Sequence, residues 1–530
     1  MRREKNIQSK HELEWDIDLS PINYPSIIRK KFEYIFYKNR KSYNQCIDKF
    51  GKFNNINIDW WMTLPSYRNP YVSDIFNYLV VLDTLKSFKN KKICIKIITS
   101  SEQFSKILNN HFKKSITVEI KRRNIKTLLI KEYVKSVIFQ LVVFIFINLF
   151  VKKKYQKKKI IIVDQLVTLN KKQNSNFYRK FSNTKNSDTL IAPTLIPTMN
   201  FVKLFKNLMY SIKKNNNYIF KEHYLKLSDL IFSFSHIFRR KKFFKREIRY
   251  KSFKLSNLLI EETQRYSDFF SINAGILNYI FFKRSALNKL DFIKSINWFE
   301  NQIVDRGWNL GFRTFYPKYE KSSFGYQDFS KHYNLMSNSP TEFEYKSKTT
   351  PEKLIIISSN FKKITKEFHL KQKLIVGDSW RFKNLKNLRR LKNKKRKIIL
   401  LVLCGIKKID IELIKMVSET CNLYPKLNVV FKTHPILDIK SIYRKSDLPS
   451  NLLKSEDDLQ YLLRSSLACI TSGPSSTIFE NSKLGLNTIL VNIEAGTKEN
   501  IKMFQIKKKN YFIIENSEQL LDILKKLKKL

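Results

Sequence analysis

Apolar residues along this chain fall into two alternating patterns: short β-type runs, and longer stretches repeating at helical spacing. Residues 55–59 (NINID), 93–99 (ICIKIIT) and 159–163 (KIIIV) read as strands. Between the first two, Ile75, Leu79 and Leu82 recur on one face of a helix predicted over 74–85, with Ser73 as its cap. From Lys353 onward the alternation is cleaner. Strand-like runs stand at 354–357, 374–376, 398–403, 428–431, 468–471 and 488–491. Helical patterns fill gaps at 410–421, 456–464, 476–484 and 517–527. Strands alternating with helices predict parallel α/β sheets. The expected fold is therefore α/β with two Rossmann-like lobes. An N-terminal lobe over 1–345 is parted from a C-terminal lobe over 352–530 by the polar stretch between Pro340 and Pro351. Residues from about 165 to 290 are rich in Lys and Asn and yield no chemistry.

One run breaks the pattern. Residues 137–151 (VIFQLVVFIFINLFV) form the most apolar stretch, with Lys131 and Lys135 before it and Lys152 to Lys154 after. A spanning helix needs about 20 apolar residues, and basic flanks at both ends oppose a clean crossing. If the strands on either side share a sheet, a crossing would part them. Three readings remain: a monotopic helix dipping into or lying on the inner leaflet of the membrane, a buried core helix, and a true span.

Composition narrows the partners. With 43% hydrophobic and 14% aromatic residues, the chain can bury sizeable cores, which excludes wholesale disorder. The formal net charge is +56. Lysine is spread over almost every segment, whereas a nucleic-acid binder gathers it on one face. No nucleic-acid partner is expected, but the charge still favours an anionic membrane surface. Five cysteines without a CxxC pair argue against a zinc site or a disulfide framework and fit a reducing cytoplasm. The segment MRREKNIQSK has no apolar core behind its basic residues and predicts no signal peptide.

Three constellations carry chemistry. In the C-terminal lobe, strand 428–431 ends in Lys432-Thr433-His434-Pro435, and ligands of doubly wound sheets bind beyond strand carboxyl ends. Strand 468–471 opens into Ser472-Gly473-Pro474-Ser475-Ser476-Thr477 and then a helix, whose exposed backbone N–H groups suit an anion. Glu480 follows early in that helix, within reach of ribose hydroxyls, although Thr477 with Glu480 also fits a capping box. In the second constellation, Glu300 and Asp305 precede Arg306-Gly307-Trp308, offering a carboxylate to deprotonate an acceptor hydroxyl. The plain alternative is a helix end with ordinary salt bridges. In the third, Trp60, Trp61, Arg68 and Asn69 follow the first expected strand, where aromatic faces suit an acceptor sugar; the alternative is a loop packed by its own aromatics.

The order strand–KTHP, strand–TSGPSST and an E-x4-G helix resembles the donor lobe of GT-B glycosyltransferases. It is similar above all to sialyl-, polysialyl- and Kdo transferases and CDP-glycerol polymerases, which use cytidine-linked donors. The resemblance implies that His434, Pro435, Ser475 and Ser476 contact the nucleotide phosphate and ribose. Asp305-Arg306-Gly307 departs at its middle position from the acidic-acidic-Gly motif that supplies the base in the sialyltransferase type. WWMTLPSYRNPYVSDIF, WFENQIVDRGWNLGFRTFYP and FGYQDF further resemble surface carbohydrate biosynthesis proteins of O-antigen clusters.

No DxD-type motif at a strand end, HExxH, GxGxxG or GxxxxGK[ST] is present, so neither a metal ion nor a separate cofactor is expected. The expectation is a cytoplasmic enzyme at the inner membrane face. It would move a sugar from a nucleotide-sugar donor, itself a substrate, to a lipid-linked or polysaccharide acceptor. Rivals are a glycerophosphotransferase using CDP-glycerol, a nucleotide-sugar 2-epimerase and, from another class, a basic nucleic-acid-binding protein.

Overall fold

The computed structural model describes residues 12–53, 57–88, 94–113, 115–121, 125–153, 159–167, 188–195, 197, 200–214, 217–240, 247–265, 268–379, 382, 398–434, 443, 448–473, 475–504 and 510–528. Three parallel sheets organise them. The first joins β1 (Glu12–Asp16), β2 (Cys94–Thr99) and β3 (Ile116–Ile120) in that order. Next along the chain come β4 (Ile160–Val167), β5 (Thr189–Leu195), a small antiparallel hairpin of β6 (Arg249–Tyr250) and β7 (Phe253–Lys254), β8 (Phe292–Trp298), β9 (Ser323–Gln327), β10 (Lys353–Ile356) and β11 (Lys373–Val376). Without the hairpin, these form a second sheet in the order β5-β4-β8-β9-β10-β11. The third sheet contains β12 (Ile398–Val402), β13 (Val429–Lys432), β14 (Leu452–Lys454), β15 (Ser466–Ser472), β16 (Asn487–Val491) and β17 (Tyr511–Ile514), ordered β14-β13-β12-β15-β16-β17.

All-parallel sheets must be covered on both faces, and their central strands read as unbroken apolar runs. In β12 (IILLV), Ile399 and Leu401 pack with Leu413 and Leu520 on one face, while Leu400 and Val402 meet Leu462 and Leu484 on the other. Counted along the chain, the third sheet has strand order 3-2-1-4-5-6, the doubly wound arrangement of a dinucleotide-binding fold. The second sheet runs 2-1-3-4-5-6. Each order reverses once, opening a crevice at the carboxyl ends of β12 and β15 in one sheet and of β4 and β8 in the other.

The architecture corrects three expectations. β10 and β11 extend the second sheet from β9, pairing Leu354 with Gly325 and Leu354 with Leu374, so the lobes part after Val376 rather than near residue 350. The first strand is β1, and Ile58–Trp61 is a short helix whose cap, Asn57, accepts a hydrogen bond from the Trp60 N–H. The strands flanking the apolar run, β3 and β4, lie in different sheets.

That run belongs to a helix over Ile125–Phe150, and its segment Thr127–Phe150 is long and apolar enough to cross a membrane. The helix is apolar on both faces. Phe139, Val143 and Ile147 pack on Leu195, Leu204, Leu208 and Phe220, and the polar Ser136 and Gln140 are also buried, Ser136 accepting from Asn273 Nδ2. The outer face exposes Ile130, Val134, Ile138, Ile145 and Leu149. A soluble surface helix is polar on that face.

One buried cluster ties distant segments together. Glu344 accepts from Arg68 (Nη2, 2.5 Å) and from Arg306 (Nη2, 2.7 Å), with all three side chains at most 1% exposed. Asn301 and the Thr341 N–H complete its acceptance, and Arg306 also donates to Ser66. Burial lowers the Arg306 guanidinium to about 10, against the pull of Glu344. Removing one partner of such a cluster strands charge in a dry interior. Glu344→Gln is expected to lower unfolding free energy by about 3–5 kcal/mol in urea titrations. A loss under about 1 kcal/mol would mean that the two arginines find other partners.

Candidate functional site

At the crevice of the third sheet, β12 is followed by Leu403, Cys404 and Gly405, and β15 ends in Ser472 just before Gly473. Asp410, near the start of helix Lys407–Leu423, accepts the backbone N–H groups of Cys404 and Gly405, each at 2.8 Å. That fixes the turn and leaves Gly405 at φ +84°, a conformation that favours glycine. The His434 ring lies against it: a methyl on Gly405 would sit 2.6 Å from Nδ1. Burial, followed by Asp410, pushes the Cys404 thiol well above its usual range, so Cys404 is no ready nucleophile.

The β15 loop leads into helix Thr477–Leu484. Its N-cap is Ser476, so Thr477 is the first helical residue and the Thr477–Glu480 capping box does not form. Ser475 and Thr477 are buried, as is Glu480 beneath the helix. Gly473 is enclosed by two side chains rather than one. A methyl there would meet Glu494 Oε1 at 2.6 Å and His332 Nε2 at 3.0 Å. Lys432 reaches the other way and donates to the Ser455 carbonyl at 3.4 Å. Pro435 lies outside the described residues.

The second crevice gathers carboxylates. Asp164 stands on β4, and Glu300 and Asp305 follow β8. Burial, together with the charges of Asp164 and Glu300, raises the Asp305 carboxyl well above its ordinary value, although the Gln302 and Glu300 N–H groups it accepts at 3.0 Å work against this. Asp305 therefore caps helix Ile303–Phe315 and is also a carboxylate with enhanced affinity for a proton. Glu300 is half-buried and accepts from Trp298 Nε1 and Gln302 Nε2, each at 2.8 Å. Lys331, 1% exposed, donates to the Asn338 carbonyl at 2.7 Å, and burial depresses its pKa well below the usual range against the attraction of Glu300.

The two crevices face each other. The segment after β9 crosses to the third sheet, where Ser330 Oγ donates to Ser476 Oγ at 3.1 Å and Asn334 donates to the Ala495 carbonyl at 2.7 Å. His332 Nε2 lies 3.1 Å from Glu494 Oε1, while the Tyr71 hydroxyl donates to Glu494 Oε2. Both parallel sheets thus direct their carboxyl ends into one shared junction. Among the described residues, no group of three or more His, Cys, Asp or Glu side chains is arranged to hold a metal ion.

The structure brings His434, Ser472, Gly473, Ser475 and Ser476 to one crevice and Asp305 and Glu300 to the other. It corrects the aromatic acceptor platform. Trp60 and Trp61 are 0% and 2% exposed, Trp60 against Phe50 and Trp61 under the Arg306 guanidinium. Arg68 is spent on Glu344, and Asn69 Oδ1 accepts the Tyr71 N–H. None has a face to offer an acceptor. Within Asp305-Arg306-Gly307, Arg306 serves Glu344, and Gly307 lets its helix cross the Gly275 backbone without collision. Sequence reasoning missed Asp164, Lys331, His332, Gly405, Asp410 and Glu494. Their available signal was position: each lies on, or within a dozen residues of the carboxyl end of, a strand of the two larger sheets.

No family model matches the chain, and no curated protein matches it. Loose likenesses to solved structures exist. They include the kitacinnamycin glycotransferase (10% identity, TM-score 0.39, covering 70% of this chain and 90% of that one). They also include a UDP-N-acetylglucosamine 2-epimerase (11%, 0.39, 70% and 87%) and MurG of Acinetobacter baumannii (9%, 0.34, 70% and 91%). Likeness at this level carries no functional argument, which rests on the residues instead.

The Gly405–His434 contact is directly testable. Gly405→Ala is expected to cost at least about 1 kcal/mol of stability, from the positive φ and the ring together. In a His434→Ala background the cost should fall by about 0.5 kcal/mol or more, leaving the backbone strain alone. Additive costs in denaturant titrations would show that the ring does not rest on this turn.

Proposed function

We propose that this chain is a glycosyltransferase of surface polysaccharide assembly, moving a sugar from a nucleotide-sugar donor to a lipid-linked or polysaccharide acceptor at the cytoplasmic face of the membrane. The observation that carries the reading is the pair of opposed switch-point crevices, one built of small hydroxylic residues at a helix start and the other of carboxylates. Function is argued from these sites and not from the fold, which hosts many chemistries.

In this reading the nucleotide diphosphate lies over the β15 loop. Ser472 to Ser476 and the start of helix Thr477–Leu484 offer hydroxyls and N–H groups, and His434 flanks the phosphates beside Gly405. As the bond to the sugar breaks, negative charge grows on the leaving phosphate, where fixed donors stabilise it without reorganising. Across the junction, Asp305 or Glu300 takes the proton of the acceptor hydroxyl. The raised pKa of Asp305 makes its ionised carboxylate a better proton acceptor, with activity rising as pH passes upward through that pKa. The cytidine-linked donor rests on the sequence resemblance.

The outward apolar face of helix Ile125–Phe150, with Lys131, Lys135, Lys152 and Lys153 around it, supports attachment to an anionic leaflet. The inward face is occupied by protein, which favours a monotopic seat over a span.

Two experiments test this. A thermal-shift panel of CMP, CDP, UDP and GDP should find one nucleotide that stabilises the protein, by about 2.7 kcal/mol at a hundredfold excess over Kd. His434→Ala should weaken that shift while the variant stays folded. Asp305→Asn should keep the shift yet slow sugar transfer at least about a hundredfold. A panel without any shift defeats the reading, and product formed without acceptor points to the epimerase instead. In flotation assays, vesicles containing phosphatidylglycerol should carry the protein, with partial release by salt. Ile138→Ser with Ile145→Ser should reduce flotation several-fold. Equal flotation of this variant, or termini accessible from opposite sides of the membrane, would overturn the monotopic seat.

A further inference from the structure

The first sheet has a mouth of its own, away from the two crevices. A cavity of about 510 Å³ opens where β2 ends in Thr99-Ser100 and β3 ends in Ile120-Lys121. Its volume lies within the ~300–1,000 Å³ of small-molecule sites. The opposite wall is helix Ser256–Arg265, which presents Asn257, Ile260, Glu261, Gln264 and Arg265 at the three- and four-residue spacing of a single helical face.

The charges in this cavity are largely committed. Arg265 donates to the Ser100 carbonyl at 2.6 Å and lies 3.2 Å from Glu261, whose other oxygen accepts the Gln103 N–H. Lys121 donates to Asp16. Glu102 is the charged lining residue with no ion pair among the described residues, and its carboxylate opposes an anionic ligand. The start of helix Glu102–Phe112 is also closed, with Ser101 accepting from Phe104 and Glu261 from Gln103. What remains is neutral. The side-chain amides of Gln103, Asn257 and Gln264 have no partner among the described residues, and each offers a donor and an acceptor. Ser100 Oγ is buried, 7% exposed as a residue, and is likewise unpartnered. Ile120 and Ile260 add apolar contact.

Paired donors and acceptors beside an apolar wall complement vicinal hydroxyls on a C–H face. We propose that this cavity binds a neutral sugar unit of the acceptor glycan through Ser100, Gln103, Asn257 and Gln264. That the sugar belongs to an acceptor rests on the transferase reading; that the cavity binds a neutral sugar does not. The chain itself links this mouth to the main junction. Leaving β1, the Ile17 N–H donates to the Ile98 carbonyl, and five residues later the Ile22 N–H donates to the Ile493 carbonyl, next to Glu494. Five residues span at most about 18 Å, so the end of β1, beside β2, lies within that distance of the junction.

The test is saturation-transfer NMR on the full-length protein with the methyl glycosides of glucose, galactose, mannose and N-acetylglucosamine. At least one should receive saturation from the parent. Asn257→Ala with Gln264→Ala, two exposed changes on one helix, should weaken that sugar at least tenfold, and Ser100→Ala provides a second variant if the first misfolds. The nucleotide shift measured on the same samples should not change. Absence of transfer to every glycoside, unchanged binding in both variants, or displacement by inorganic phosphate would each overturn the proposal. Sugar binding lost in the variants, in a protein that no nucleotide stabilises, would keep this site and discard the transferase reading.

Discussion

The buried carboxylate of Glu344 is the interaction on which the rest of the arrangement hangs. It holds Arg68 from the segment after the first short helices, Arg306 from the helix following β8, and through Asn301 the turn between them. Without it, two guanidinium groups would lie in a dry interior without the carboxylate they share. The position of Asp305, immediately before Arg306 in the same helical turn, follows from that anchoring. So does the course of the chain from β9 to Thr341, which carries Lys331, His332 and Asn334 across to the other sheet. A structural cluster thus fixes the geometry of groups that do not belong to it.

Much of the C-terminal lobe was legible in the sequence because parallel strands buried on both faces leave continuous apolar runs. β12, β15 and β16 are of this kind, and their predicted bounds hold to within two residues. β1 escaped because three of its five residues are acidic, although Trp15 within it is fully buried. β5 escaped because Pro193 interrupts it; the strand tolerates a proline because it ends its sheet. The NINID run misled because Asn57 spends its side chain on a helix cap, a local hydrogen bond that outweighs the β-branched residues around it.

Ser472 to Ser476 follow an apolar strand, and so do Glu300 and Asp305, which is why both sets could be singled out in the sequence. The residues that join the two crevices could not. His332, Glu494 and Tyr71 are separated by up to 423 residues, and only tertiary packing makes them neighbours. The tryptophans misled for the opposite reason. Large aromatic side chains suit sugar faces and protein interiors equally, and here the interior claimed them.

The apolar character of helix Ile125–Phe150 on both faces has a consequence for how the protein is made. Its apolar stretch leaves the ribosome before Leu195, Leu204, Leu208 and Phe220, the residues that later cover its inner face, have been synthesised. For that interval the nascent chain displays 24 residues with the length and hydropathy of a membrane insert and nothing packed against them. Ser136 and Gln140 weaken its claim on the bilayer, and the partners that they and their apolar neighbours find come from chain yet to emerge. Until that chain emerges, the protein that covers Phe139, Val143 and Ile147 does not exist, so this helix can take its folded place only after the residues up to Phe220 have been made.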